Sequence, residues 1–168
     1  MNIKDVIISQ YLASLEMLSN AVKACPDRIW ADSKHKNKFW HIAYHAIFYT
    51  HLYLQNSEDD FIPWEKHRDE YQFMGSLPEA PSKKPAIDTP YLKGEIIEYL
   101  EFCKKQVIET LPILNLDSDA SGFYWLPFGK LELQFYNIRH LQQHTGELYE
   151  RLGTEENIDV QWVGKGSV

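Results

Sequence analysis

The 168-residue sequence has little of what marks extracellular or nucleic-acid-binding proteins. It has only two cysteines, Cys25 and Cys103, which are far apart and form no CxxC pair. Neither a disulfide framework nor a cysteine-ligated zinc site is therefore indicated. Basic residues are fewer than acidic ones. The sequence has 17 Lys and Arg against 24 Asp and Glu, which gives a net charge of -7. This charge argues against nucleic acid and against an anionic membrane surface as partners.

Long hydrophobic runs are absent as well. The most apolar stretch, IAYHAIFYTHLYL from Ile42, is too short and too rich in histidine to span a bilayer. The N-terminal segment MNIKDVIISQYLAS lacks the apolar core and cleavage site of a signal peptide. We therefore expect a cytoplasmic protein, and a chain of this length is the size of one domain.

Several catalytic motifs are missing. The sequence has no HExxH and no Glu-x-x-His, which disfavours zincins and ferritin-type di-iron bundles. It has no Walker loop, GxGxxG or GxSxG, and no pattern points to a Ser-His-Asp or Cys-His constellation.

What the sequence does have is helical periodicity in four segments, with little that indicates strand. Helices are predicted over about 3–24, 38–55, 90–111 and 130–152, followed by a loosely ordered tail over 154–168. The prediction is an all-α single domain over 1–153, a four-helix bundle with long crossover loops such as 56–88.

Local signals set two of these helix ends. Thr89 as N-cap and Pro90 at the first helical position predict the start of the third helix. Gly153 predicts the end of the fourth helix.

Seven histidines are the feature that most needs an explanation. His41 and His45, and likewise His140 and His144, are i,i+4 pairs, so each pair lies on one helix face. Two such imidazoles reach one metal ion, and a third from a neighbouring helix completes a site with three protein ligands. The alternative is that the histidines are ordinary core or surface residues and bind no metal. His51 is predicted to lie on a different face.

Two segments carry a resemblance to a known family. The segment FWHIAYHAIFYTHLYL, followed far downstream by ELQFYNIRHLQQHTGELYERL with its HxxxH-x-GEL signature, resembles the DinB/YfiT-like family of damage-inducible proteins, which is unrelated to the polymerase of that name. The resemblance covers about residues 1–153, including the order of helices and loops.

The resemblance implies a metal-binding four-helix bundle, often a homodimer, that holds one divalent ion, zinc or nickel. Carried over by position, the ligands are His45, His140 and His144. If His41 were the ligand instead of His45, the site would shift by about 5 Å along the helix. The resemblance further implies a metal-dependent transferase, moving a thiol to small electrophiles, or a hydrolase of small molecules.

A non-catalytic bundle that binds metal or ligand for structure, sensing or dimerisation remains the rival interpretation. Glu147, Asn137 and Tyr44 are candidates by position to hold the imidazoles through hydrogen bonds. Trp64 and Trp125 are candidates for the walls of a pocket over the metal, or for covers at the ends of the bundle.

Overall fold

The computed structural model describes residues 2–167, and regular structure in this part of the chain is helical. The five helices are α1 (Ile3–Ala24), α2 (Asp27–Trp30), α3 (Phe39–Tyr53), α4 (Lys93–Thr110) and α5 (Lys130–Glu156). Over residues 2–167 no strand forms, and Leu77 and Ala80 make one isolated bridge. The all-α prediction is confirmed. No helix of the described residues is long and apolar enough to cross a membrane.

The four long helices pack in a closed cycle of neighbours. Helices α1 and α3 each pack against both α4 and α5. Helix α3 is buried along nearly its whole length, as expected for a helix without a polar face. The centre contains several aromatic side chains with almost no exposed surface, namely Tyr11, Phe39, Tyr44, Tyr91 and Tyr99.

The predicted start of the third helix is wrong. Helix α4 begins at Lys93, and its N-terminal backbone is capped by Glu95, whose carboxylate accepts from the Leu92 N–H at 2.8 Å. Thr89 is not the cap, because the N-cap position is Leu92. The Thr89 N–H instead donates to the Tyr71 hydroxyl at 3.0 Å. This bond ties the residues before α4 to Tyr71 in the middle of the long loop.

The predicted end of the fourth helix is also wrong. Helix α5 continues through Gly153 to Glu156, and Asn157 takes the left-handed conformation with φ 54°. Asparagine tolerates this conformation at a helix C-terminus. The Ile158 N–H then donates to the Leu152 carbonyl at 3.0 Å and closes the helix end.

The C-terminal segment, predicted to be loose, lies against α1 instead. The Gly166 N–H donates to the Ser9 carbonyl at 3.1 Å, and the Ser9 hydroxyl donates to the Gly166 carbonyl at 3.2 Å. A Cβ at Gly166 would lie 2.5 Å from Leu12 Cβ, so only glycine allows this approach.

The long loop between α3 and α4 packs on the helices and positions part of the site. Trp64 is stacked on Tyr99 of α4, with ring centroids 4.5 Å apart and planes 5° apart. The backbone carbonyls of Tyr71 and Gln72 then point toward α3, where each accepts a hydrogen bond from a histidine. The loop is therefore a structural element of the site and not a spacer.

Candidate metal centre

Three of the predicted site residues meet at one point between α3 and α5. The Nε2 atom of His140 lies 3.1 Å from Nε2 of His45 and 3.2 Å from Nε2 of His144. One ligand atom from each of these three side chains lies within 4.8 Å of the other two. The i,i+4 spacing on α5 and the packing of α3 against α5 together produce this cluster.

These separations match those of ligands around one ion. Two imidazole nitrogens bound to zinc at about 2.0–2.1 Å in tetrahedral geometry lie about 3.3 Å apart. The two closest Nε2 separations in the cluster are 3.1 and 3.2 Å. Two of the three separations are therefore close to those around a bound ion, and the third ligand pair lies within 4.8 Å.

Hydrogen bonds at the opposite ring nitrogens orient two of the three imidazoles. Nδ1 of His45 lies 2.6 Å from the Gln72 carbonyl oxygen, and Nδ1 of His144 lies 3.0 Å from a Glu147 carboxylate oxygen. Both oxygens only accept, so Nδ1 of each ring carries the proton. In the neutral rings Nε2 then presents a lone pair to the centre, as in metal sites where a carbonyl or carboxylate fixes the tautomer.

His140 is held differently. Its Nδ1 is buried and has no hydrogen-bond partner among residues 2–167. Its ring instead packs edge-on against Tyr49, with centroids 5.6 Å apart and planes at 79°. Tyr49 also packs on His45, with ring centroids 4.8 Å apart, so one aromatic side chain supports both rings.

The surroundings disfavour protonation of the cluster. Burial is the main cause that lowers the pKa of His45 to about 3, and the adjacent imidazoles act in the same direction. Burial also lowers the pKa of His140 to about 4, with His144 as the second cause. At neutral pH His45 and His140 are therefore uncharged, which is the form that binds metal.

The remaining histidines lie outside the cluster, each with another partner. His41 is bonded to the Tyr71 carbonyl at 2.8 Å, so the alternative ligand on α3 is directed away from the centre. His51 lies beside Tyr99, and His67 beside Tyr44. His35 is paired with Glu155.

Of the residues predicted to hold the imidazoles, only Glu147 does so. Asn137 donates to the Thr50 carbonyl at 3.1 Å, and Tyr44 bonds to His67. The Gln72 carbonyl and the Tyr49 ring were missed. A backbone carbonyl in a loop has no signature in the sequence, whereas Tyr49 follows His45 by one helical turn and could have been found from that spacing.

Neither tryptophan candidate lies against the cluster. Trp64 is buried on Tyr99 of α4, on another face of α3. Trp125 donates to the Tyr53 hydroxyl at 3.3 Å, and Tyr53 packs on Tyr49. Trp125 is thus separated from His140 by two aromatic rings.

The cluster offers three protein ligands. Within the described residues, no carboxylate or thiol joins the three histidines as a fourth ligand. Comparison with protein-family models, curated proteins and solved structures finds no match for this chain. We therefore infer the function from the geometry of the site.

Proposed function

We propose that this protein is a metalloprotein in which His45, His140 and His144 bind one divalent ion, zinc or nickel. The observation that carries the proposal is the convergence of three Nε2 atoms, with the rings of His45 and His144 fixed through Nδ1. Imidazole nitrogen suits both ions, and neutral ligands leave the full charge of the ion in place.

We further propose that the chain is a four-helix bundle of the DinB/YfiT-like type, cytoplasmic and able to form a homodimer. The closed packing of α1, α3, α4 and α5 supports this, with α2 as a short addition before α3. The position of the HxxxH-x-GEL segment on α5, with both histidines in the cluster, supports it as well.

The proposed activity is metal-dependent transfer of a thiol to a small electrophile, or hydrolysis of a small molecule. Three protein ligands are the number typical of catalytic zinc sites, which keep a position open. A divalent ion supplies Lewis acidity, which lowers the pKa of a water or thiol that reaches it. Tyr49 contributes an aromatic surface beside His45 and His140 against which a substrate can pack.

A non-catalytic binding role is the second candidate, and one observation favours it. The carboxylate of Glu147 is already bonded to Nδ1 of His144, so it orients that ring and is not free to act as a general base. Burial raises the pKa of Tyr49, which keeps its hydroxyl protonated and unsuited to proton abstraction.

Elemental analysis of protein purified without an affinity tag tests the metal site. We expect close to one divalent ion per chain, a content that collapses in His140→Ala. His51→Ala is the matched control, since it removes another buried histidine from outside the cluster and should leave the content unchanged. A folded protein that neither contains nor takes up metal on titration would refute the proposal.

An assay of thiol transfer to generic electrophiles, with and without chelator, separates catalyst from binder. We expect activity that chelation removes and that returns when zinc or nickel is added. Activity that persists unchanged after chelation would contradict a metal-dependent reaction. A metal-loaded protein that is inactive toward thiol transfer and toward hydrolysis of small esters would favour the binding role.

A further inference from the structure

A second concave region lies on another face of α3, away from the histidine cluster. It has a volume of about 550 Å³ and lies between the end of α3, helix α4 and the loop residues 60–65. Its apolar lining includes Trp64 and Phe102, and its rim includes three carboxylates, while His51 lines its inner part. No residue of the metal-binding cluster contributes to it.

His51 has an unused hydrogen-bonding atom in this groove. Its ring is only 2% exposed and lies between Phe61 and Phe102, with centroid distances of 4.8 and 5.0 Å. Its Nδ1 lies 3.2 Å from the Tyr99 hydroxyl. Nε2 has no partner within residues 2–167, so a buried polar side chain that lines the groove has one nitrogen available to a ligand.

The Tyr99 hydroxyl decides which hydrogen-bonding role this nitrogen has. The Tyr99 hydroxyl is buried, and burial raises its pKa far above its usual range, so it keeps its proton. Nδ1 of His51 is its only hydrogen-bond partner within residues 2–167, so the hydroxyl donates to that nitrogen. Burial also lowers the pKa of His51 to about 4, so the ring is neutral near pH 7. Its single proton is then on Nε2, which acts as a donor toward the groove. This N–H has no protein acceptor within residues 2–167, and the oxygen of a ligand in the groove would accept from it.

The inner part of the groove offers a hydrogen-bond donor, whereas its rim is acidic and attracts a positively charged group. Asp60, Glu65 and Glu98 line it, and no lysine or arginine is part of the lining. Lys66 bonds to Glu98 from outside the groove, and its ammonium lies 5.8 Å from the centre of the Trp64 ring. Glu98 is therefore already paired, and Asp60 and Glu65 are the rim carboxylates that no lysine or arginine within residues 2–167 pairs with.

We propose that this groove is a binding site for a small amine with a flat apolar body and a hydrogen-bond-accepting oxygen at its far end. The ammonium lies among Asp60, Glu65 and Glu98, the ring packs on Phe102 and the edge of Trp64, and the oxygen accepts from Nε2 of His51. The site does not depend on the metal centre, so either can be absent without the other.

Calorimetric titration of the full chain at low ionic strength, with three probes, tests this assignment. Tyramine has the amine, the ring and the oxygen, phenethylamine lacks the oxygen, and 4-(2-hydroxyethyl)phenol lacks the amine. We expect one tyramine per chain, bound about five- to tenfold more tightly than either other probe. Equal binding of all three, or no saturation by tyramine up to about 10 mM, would overturn the proposal.

Variants locate the bound amine. Glu98→Gln should weaken tyramine binding about two- to fivefold, because an exposed carboxylate contributes modestly. Glu109→Gln is the matched control, since it removes the same charge from the same helix outside the groove lining and should change nothing. Equal weakening by both would show only general attraction to an acidic protein and refute the site.

Two further measurements address His51 and the metal centre. His51→Phe should abolish the preference for tyramine over phenethylamine. If that variant does not fold, NMR of the histidine ring nitrogens in the parent protein tests the contact. Tyramine should shift the resonance of His51 Nε2 but not those of the His41 nitrogens. Binding in His140→Ala should match the parent, and its loss there would place the amine at the histidine cluster and overturn the proposal.

Discussion

Helix α3 carries two histidines of similar electrostatic character that face different surroundings. Burial is the main cause that lowers the pKa of His45 to about 3 and that of His51 to about 4. His45 meets two more imidazoles from α5, whereas His51 meets Tyr99 and Phe102 of α4. A low histidine pKa therefore does not by itself identify a metal ligand.

The difference lies in which lone pairs are used. Nδ1 of His51 accepts from the Tyr99 hydroxyl, so the one lone pair of its neutral ring is already bonded. Nδ1 of His45 is bonded to a carbonyl oxygen and must carry the proton, so its lone pair points at His140. A metal ligand is recognised by a free lone pair that converges with the lone pairs of other side chains.

A divalent metal ion should stabilise the fold only by binding to the cluster of His45, His140 and His144. An ion that binds only the folded chain stabilises it by about 4 kcal/mol when its free concentration is a thousand times its Kd. Chemical unfolding with zinc and with chelator should show this difference in the parent and in His51→Ala, and not in His140→Ala. Equal stabilisation of His140→Ala would mean that the ion binds elsewhere.

Acid should destabilise the fold through His51. Its pKa is about 4 in the folded chain against 6.5 for an unperturbed histidine, so the unfolded chain binds more protons between these values. The contribution is fully present above pH 6.5 and is lost as the pH falls through 4, which amounts to about 3 kcal/mol.

The variant His51→Phe isolates this contribution, measured by urea unfolding between pH 4 and 7 in the presence of chelator. The difference in unfolding free energy between parent and variant should change with pH over this interval by most of that amount. Any loss from the unpaired Tyr99 hydroxyl is independent of pH and adds a constant offset. A difference that does not vary with pH would show that His51 is not kept neutral by burial.

The carboxylate behind His144 should matter for metal affinity and little for folding. Loss of such a hydrogen-bond partner behind a ligand typically weakens metal binding about 10- to 100-fold. Glu147→Gln should do so in competition titrations with a chelating dye, because an amide holds the Nδ1 proton less strongly. Glu150→Gln, an exposed change on the same helix, should leave the affinity unchanged. Equal effects would assign the loss to overall charge.

The parts of this structure that follow from local patterns were predictable. Helix α1 has the predicted bounds because its apolar periodicity ends at Pro26. The approach of His140 to His144 follows from their i,i+4 spacing, and the apolar character of α3 all round predicted its burial. The choice of His45 over His41 came from the family pattern, and the structure directs His45, not His41, toward α5.

The parts that depend on distant contacts were not predictable in this way. The segment before α4, where a cap was expected at Thr89, is bonded to the Tyr71 hydroxyl through the backbone N–H groups of Asp88 and Thr89. The tail lies on α1 through Ser9 and Gly166. Helix propensity and capping rules describe neighbours in sequence, so they miss hydrogen bonds that arrive from elsewhere in the fold.

Two tyrosines lie beside the two histidines, Tyr49 beside His45 and Tyr99 beside His51, and removing their hydroxyls should change stability only slightly. The Tyr99 hydroxyl bonds to His51, so Tyr99→Phe should lower the free energy of unfolding by about 1 kcal/mol. The Tyr49 hydroxyl makes no hydrogen bond within residues 2–167, so Tyr49→Phe should leave stability within about 0.5 kcal/mol of the parent. Both changes keep the aromatic ring and its packing, so urea unfolding at pH 7 measures the hydroxyl alone. Neither should alter the affinity of the proposed site for metal, since no histidine of the cluster bonds to either oxygen. Weaker metal binding in Tyr99→Phe would show that the two sides of α3 are coupled, and the distinction between their histidines would then fail.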